Sequence, residues 1–218
     1  MATLSGPMRP SQSGDRTSVV VLLHGYGADG ADLIGLADVM AEHLMGTEFR
    51  APNAPERNAM NPMGYQWFGI PHMDGTPQEE REKSFAKSID LLNGYLDDLM
   101  KETGLPASKI ALVGFSQGTM MSLHVGPRRD EQLACIVGFS GRLLAPERLA
   151  GEMKTKPPVL LVHGEADPVV PFESMEEARK GLDDAGIFVR TLACPGVPHS
   201  ISPEGLVAAL QMLKAHLE

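Results

Sequence analysis

Apolar residues are distributed along the chain in two ways. Short unbroken runs rich in Val, Ile and Leu occupy residues 18–23, 110–113, 133–139 and 159–162, with a further strand-like run at 188–192. Runs of this length without alternation predict strands buried on both faces of a mainly parallel sheet. Residues 48–51 predict one more short strand, stopped by Pro52. Between these runs the apolar positions return every three or four residues. Leu33, Leu36, Ala37, Met40 and Leu44 make one stripe, which predicts a helix over 31–45 closed by Gly46. Phe85, Ile89, Leu92, Leu96 and Leu99 make a second over 77–103, ended by Gly104-Leu105-Pro106. Residues 172–185 and 203–217 read as two more helices, the last with Pro203 at its first position and Leu206, Leu210, Leu213 and Leu217 on one face.

Strands alternating with helices predict an α/β fold, a doubly wound, mainly parallel central sheet flanked by helices. At 218 residues the chain suits one such domain spanning 1–218, and no linker or low-complexity stretch divides it. Residues 1–16, rich in Ser, Gly and Pro, are expected to form a loose N-terminal arm. They lack the apolar core of a signal peptide, which makes the cytoplasm the expected address.

A net charge of −9 argues against nucleic acid or an anionic membrane surface as partner. No apolar stretch approaches the ~20 residues of a membrane span. Two cysteines, Cys135 and Cys194, cannot build a disulfide framework, and Cys135 lies in a strand-like run where a buried thiol is expected. With neither a glycine-rich phosphate loop nor Cys/His spacing for a metal, no cofactor and no metal is implied.

One stretch carries the chemistry. The apolar run at 110–113 leads into Gly114-Phe115-Ser116-Gln117-Gly118, followed by a segment that can continue as a helix. In a chain with 23 glycines a bare Gly-x-Ser-x-Gly can arise by chance, but between strand and helix it reads as a nucleophile elbow. Such a turn strains the serine backbone and presents its hydroxyl. Ser116 is therefore the expected nucleophile. The backbone N–H of Gln117, in the first helical turn, is free to face an anion. A second oxyanion donor is expected in the glycine-rich turn after the first strand, from the N–H of Leu23 or an immediate neighbour. His24 there is better read as structural.

A serine hydroxyl needs a base within hydrogen-bond reach. His199 follows the constrained Cys194-Pro-Gly-Val-Pro198 turn after the last predicted strand, at the carboxyl edge that the serine also occupies. It is the expected base, with His72 in the long loop as its rival. His43, His124 and His216 lie on helices and are read as surface or packing residues. The base needs an orienting carboxylate. Asp167 stands in the turn that follows the strand-like run at 159–162, between serine and histidine in the chain, which is the Ser…Asp…His order of α/β-hydrolases. Asp29, Asp32 and Glu165 are its rivals. A short echo, Leu-His-Gly25 against Val-His-Gly164, marks two parallel strands ending at one sheet edge.

These motifs together resemble a known family. Leu-His-Gly-x-Gly, Gly-Phe-Ser-Gln-Gly-x-Met, His-Gly-x-x-Asp-Pro-Val-Val-Pro and Gly-x-x-His-Ser-Ile, spread over about 18–217, are similar to the phospholipase/carboxylesterase family, which includes the acyl-protein thioesterases. The resemblance implies an α/β-hydrolase fold, the triad Ser116, Asp167 and His199, and backbone oxyanion donors at Leu23 and Gln117. It also likens Tyr65-Gln66-Trp67-Phe68 to an aromatic segment beside the acyl site. Arg142 departs from the family pattern, where an apolar or aromatic residue is common, and Gly126-Pro127 breaks the helix after the elbow early.

Residues 52–78, with five prolines, three asparagines, three methionines and the single tryptophan, predict a long irregular loop of functional use. Met60, Met63, Trp67 and Phe68 are its candidates for a substrate-binding, acyl-facing wall. The interval 141–158 has room only for a short polar helix, so no large lid domain is expected. The sequence thus predicts a serine carboxylesterase acting on short- to medium-chain esters, with lysophospholipase or acyl-protein thioesterase activity as the alternative. A catalytically silent binding module is the reading from another class, disfavoured because all three triad positions are filled. The expected partner is a small-molecule ester or thioester; a homodimer is left open.

Overall fold

The computed structural model describes residues 3–218. In chain order the strands are β1 (Met8–Arg9), β2 (Ser18–Leu23), β3 (Thr47–Arg50), β4 (Glu56–Arg57), β5 (Tyr65–Gln66), β6 (Ile110–Phe115), β7 (Ile136–Phe139), β8 (Val159–Gly164) and β9 (Val189–Cys194). The α-helices are α1 (Gly30–Ile34), α2 (Leu36–Met40), α3 (Pro71–Asp74), α4 (Gln78–Thr103), α5 (Gln117–Val125), α6 (Pro146–Glu152), α7 (Glu173–Asp184) and α8 (Pro203–Leu217). Seven strands form one sheet in the order β1-β3-β2-β6-β7-β8-β9, parallel except for β1. The chain steps outward from β2 to β3, then returns to the other side of β2 for β6. That reversal makes a crevice at the carboxyl ends of β2 and β6, where open α/β sheets bind ligands.

The unbroken apolar runs are explained by two cores. Val19, Val21, Leu23, Ile110, Leu112, Ile136, Val159 and Leu161 face the layer that holds Leu92, Leu96 and Leu99 of α4, Met121 of α5 and Leu182 of α7. Val20, Leu22, Ala111, Val113, Val137, Phe139, Leu160 and Val162 face the opposite layer, with Met40 of α2 and Ala209 and Leu213 of α8. Alternate residues of each strand thus bury opposite faces, and each fully buried Val or Leu contributes about 1.5–3 kcal/mol.

Three expectations are corrected. Residues 3–16 are not a loose arm: Leu4 is buried, Met8–Arg9 pairs antiparallel with β3, and Pro7 O and Ser5 O accept from Ala51 N and Asn53 N. Backbone hydrogen bonds hold this segment, so it needs little apolar side chain. The helix expected over 31–45 is two short helices meeting at Gly35. After Met40 the winding tightens to i→i+3 bonds, His43 N to Met40 O and Leu44 N to Ala41 O, and the helix ends well before Gly46. The 52–78 segment carries the hairpin β4–β5 and the short α3, so it is not irregular throughout. Between β7 and β8 there is only the seven-residue α6, and no large lid is present.

Candidate active site

β6 runs into α5 through Ser116, whose backbone sits at φ 54° and ψ −114°. An L-residue reaches that region only under strain, at a cost of about 1–3 kcal/mol. Neighbouring backbone holds it there: Ser116 N–H donates to Phe139 O at 2.8 Å, and Met120 N–H donates to Ser116 O at 3.2 Å. Gly118 must be glycine, because a Cβ would fall 1.9 Å from Leu23 O. The first turn of α5 therefore presses against the end of β2. Gly25, in the turn after β2, comes equally near the nucleophile, since a Cβ there would stand 3.3 Å from Ser116 Cβ. The serine, the helix N-terminus and the turn expected to supply an oxyanion donor are thus packed together at the crevice between β2 and β6. Leu23 and Gln117 are buried, each at an element end facing it.

Asp167 and His199 are brought together by two loops at the same edge. The loop after β8 and the loop after β9 are joined by backbone bonds from Glu165 N to Cys194 O at 3.0 Å and from Ala166 N to Val197 O at 3.1 Å. Across them His199 Nδ1 lies 2.7 Å from Asp167 Oδ2. Asp167 Oδ1 accepts the N–H groups of Val169 at 2.8 Å and Val170 at 2.9 Å. Burial alone would raise the pKa of this carboxyl. The hydrogen bonds from His199, Val170 and Val169 outweigh burial and hold it below the usual carboxylate range, so it stays ionised. An ionised acceptor at Nδ1 fixes the proton there and leaves Nε2 free to accept one. The His199 ring packs 4.8 Å from the ring of Phe115, the residue before the serine. Exposure graduates outward: the Asp167 side chain is 0% exposed and that of His199 17%. Ser116 Oγ makes no hydrogen bond among the described residues, which leaves its rotor free to turn toward the imidazole.

The turn after β2 is braced from below and above. His24 Nδ1 donates to Gly25 O at 2.8 Å while Nε2 accepts from Ala54 N–H at 2.9 Å. That pair of bonds requires the neutral ring, in keeping with a pKa lowered chiefly by burial. His24 is structural, as its place beside Gly25 indicated. Trp67 Nε1 donates to His24 O at 3.0 Å. The Gln117 amide accepts from Trp67 N–H at 2.8 Å through Oε1 and donates to Phe68 O at 2.7 Å through Nε2. The hairpin adds Tyr65, bonded through N to Ala28 O and through O to Gly27 N, and Asn61 Nδ2 donates to Gly27 O at 2.8 Å. Farther out, Tyr26 donates its hydroxyl to Asp74 Oδ2 at 2.7 Å, tying the turn to α3.

The expected substrate wall is corrected. Trp67 and Phe68 are buried and Trp67 exposes nothing, because both follow β5 into the core, where Ser88 of α4 donates to Trp67 O and the Phe85 ring lies 5.1 Å from that of Phe68. They brace the site and do not line an open wall. Met60 and Met63 stand at the hairpin tip, 61% and 80% exposed. The rival residues lie elsewhere or have other work. Asp29 and Asp32 form the capping box of α1, Glu165 is exposed, and His72 is exposed on α3. His124 packs 4.8 Å from the Phe85 ring, and His43 and His216 face solvent. Arg142 is exposed two residues past the strained Ser140 (φ 47°). Cys135 is buried, which pushes its thiol up to about 12. Sequence reasoning treated Gln117 as a backbone donor and missed its side chain, whose partners lie about fifty residues away and leave no local signal. Among the described residues no group of three His, Cys, Asp or Glu side chains is placed to hold a metal ion, and no helix is long and apolar enough to cross a membrane.

The chain is similar to known proteins over most of its length. The sequence profile of the Phospholipase/Carboxylesterase family matches residues 10–217. "Acyl-protein thioesterase 1" of Neurospora crassa is 30% identical over 92% of this chain and 87% of its own. A "Probable carboxylesterase" of Oryza sativa subsp. japonica is 30% identical over 97% and 82%. Among solved structures, esterase PE8 superposes with a TM-score of 0.93 at 44% identity, covering 99% of this chain and 100% of that one.

Proposed function

The chain belongs to the phospholipase/carboxylesterase family of α/β-hydrolases and is a serine hydrolase, and on that premise we propose that it cleaves carboxylic esters of short to medium acyl length through an acyl-Ser116 intermediate. The observation that carries the residue assignment is the strained Ser116 at the crevice, next in the chain to Phe115, whose ring meets an imidazole bonded through Nδ1 to a buried, ionised Asp167. In this reading His199 Nε2 takes the Ser116 proton as Oγ attacks the ester carbonyl carbon. Backbone N–H groups of Gln117 and Leu23 receive the oxyanion. His199 then returns the proton to the departing alkoxide, and water repeats the sequence on the acyl-enzyme. Asp167 remains ionised and holds the tautomer.

The seven-residue α6 between β7 and β8, in place of a large lid, supports an open groove, to which each added buried CH₂ contributes about 0.8 kcal/mol until the groove ends. Labelling by a fluorophosphonate, present in the native protein and lost in Ser116→Ala, tests the nucleophile. Loss of turnover in Ser116→Ala should reach a factor on the order of 10⁴ or more. On p-nitrophenyl esters, kcat/KM should climb over the shorter chains and then level, with no jump at the solubility limit. A second reading, a thioesterase for long acyl chains, is favoured by relatives called acyl-protein thioesterase 1. A strong preference for palmitoyl over butyryl substrates, or for thioesters over matched oxygen esters, would move the assignment there.

A further inference from the structure

His163 ends in the same loop region as the acid but has no part in the reaction described above. It is buried near the end of β8, paired across the sheet with Ala193, and its ring meets Phe172 edge-on at 6.0 Å. Its Nε2 lies 2.9 Å from Val170 O and 3.4 Å from Asp167 Oδ2. Both neighbours are acceptors only, so this nitrogen carries hydrogen. Val170 closes a ring: its N–H donates to Asp167 Oδ1 while its C=O faces His163. Asp167 Oδ2 therefore stands between two imidazoles, His199 Nδ1 at 2.7 Å and His163 Nε2 at 3.4 Å.

We infer that His163 is a positioning residue for the acid: its Nε2–H, bonded to Val170 O, sets a partial positive charge 3.4 Å from Asp167 Oδ2 and so favours the carboxylate rotation that aims Oδ2 at His199. Oδ1 is held by two backbone N–H groups, whereas the hydrogen-bonded partner of Oδ2 is His199 itself, the ring it must aim at. A positive dipole beside Oδ2 from outside that pair disfavours rotation about Cβ–Cγ. At 3.4 Å the contact is longer than a good hydrogen bond, so its effect is orientation and a modest draw on charge. Val170 alone would satisfy a merely structural histidine; the placement of Oδ2 3.4 Å from the same nitrogen is what a positioning role needs. Asp167 is the one carboxylate within 4.0 Å of a ring nitrogen among the described residues, with His199 beyond it; the ring met from the N-cap of α7 is the uncharged Phe172, and the cross-strand partner on β9 is Ala193.

The inference rests on the Ser116–His199–Asp167 reading, and its test separates the two. His163→Phe keeps the ring and removes the donor; His163→Gln restores an N–H near the Nε2 position. Without the donor, Oδ2 is more basic and holds the His199 imidazolium harder, so the acid limb of kcat/KM against pH should move to higher pH in His163→Phe. Its plateau kcat should fall roughly tenfold through lost orientation, with a smaller change in KM. His163→Gln should bring both limb and kcat back toward the native values. If His163→Phe does not fold, His163→Asn, whose shorter amide cannot reach Oδ2, takes its place in the same profile. A native pH profile in the donor-free variant, or a His163→Gln as shifted as His163→Phe, overturns the positioning role. Ser116→Ala and fluorophosphonate labelling run beside them: full activity in Ser116→Ala overturns the triad reading, whereas a dead Ser116→Ala with a native His163→Phe overturns this inference alone.

Discussion

The side chain of Gln117 is bonded to the backbone of Trp67, Oε1 accepting its N–H at 2.8 Å across fifty residues of chain. With the partner bond to Phe68 O at 2.7 Å, the first residue of α5 fastens the segment after β5 beneath it. Gln117→Ala keeps the backbone donor but strands a buried N–H and a buried carbonyl, each at about 1–3 kcal/mol. Urea unfolding should show a loss of that order, while fluorophosphonate labelling of Ser116 persists at a reduced rate. A variant as stable as the native protein would deny the clamp; one as dead as Ser116→Ala would deny the backbone assignment.

Strain at the elbow is measurable. Ser116→Gly removes the nucleophile together with the penalty of φ 54°. Glycine tolerates that backbone but loses more entropy on folding, so a net gain of about 1 kcal/mol is expected alongside loss of turnover. A Tm below that of the native protein in Ser116→Gly would mean that the neighbouring packing, not the backbone, carries the strain.

Asp167→Asn tests the tautomer. The amide oxygen can keep the Val169 and Val170 donors, which leaves the amide nitrogen facing His199 Nδ1. That nitrogen donates, so Nδ1 must accept and the ring proton moves to Nε2, where it blocks proton uptake from Ser116. The expected loss in kcat is on the order of 10⁴ with the fold retained, read by kinetics and circular dichroism. A folded, fully active Asp167→Asn would pass the role to another carboxylate.

Acid should destabilise the fold through its buried histidines. Burial lowers the pKa of His124 to about 4 and also lowers that of His24. These histidines stay neutral when folded, while the unfolded chain takes up protons as pH falls below ~6.5. Their stabilisation is thus complete above that value and is lost as pH falls, in the case of His124 down to about 4, by up to about 1.4 kcal/mol per pH unit for each group. His124 Nδ1 is buried without a partner, so His124→Phe should cost little and should flatten the decline. Urea midpoints at pH 5 and pH 7.5 check this; an equal decline in native protein and variant removes His124 from the account.

What the sequence determined by itself is what local chemistry specifies. The strands at 18–23, 110–115 and 159–164 were legible because a strand buried on both faces admits only apolar residues. The strained turn at Ser116 was legible because an elbow needs glycines at fixed offsets, and the pairing of Asp167 with His199 because both follow strands that end at one sheet edge. The parallel pairing of β2 with β6, and of β7 with β8, bears out the common edge read from the two Leu/Val-His-Gly turns. Tertiary structure alone decided the rest. Residues 5–9 dock through main-chain bonds that leave no periodic trace in side chains. A loop has no period either, so nothing local distinguishes Trp67, drawn under the turn by His24 O and Gln117, from Met63 at the hairpin tip. His163 shows the same limit. Its sequence motif marks a strand end, but the second acceptor beside its Nε2 exists only because the chain turns back at Pro168 and sets Val170 and Asp167 against one nitrogen.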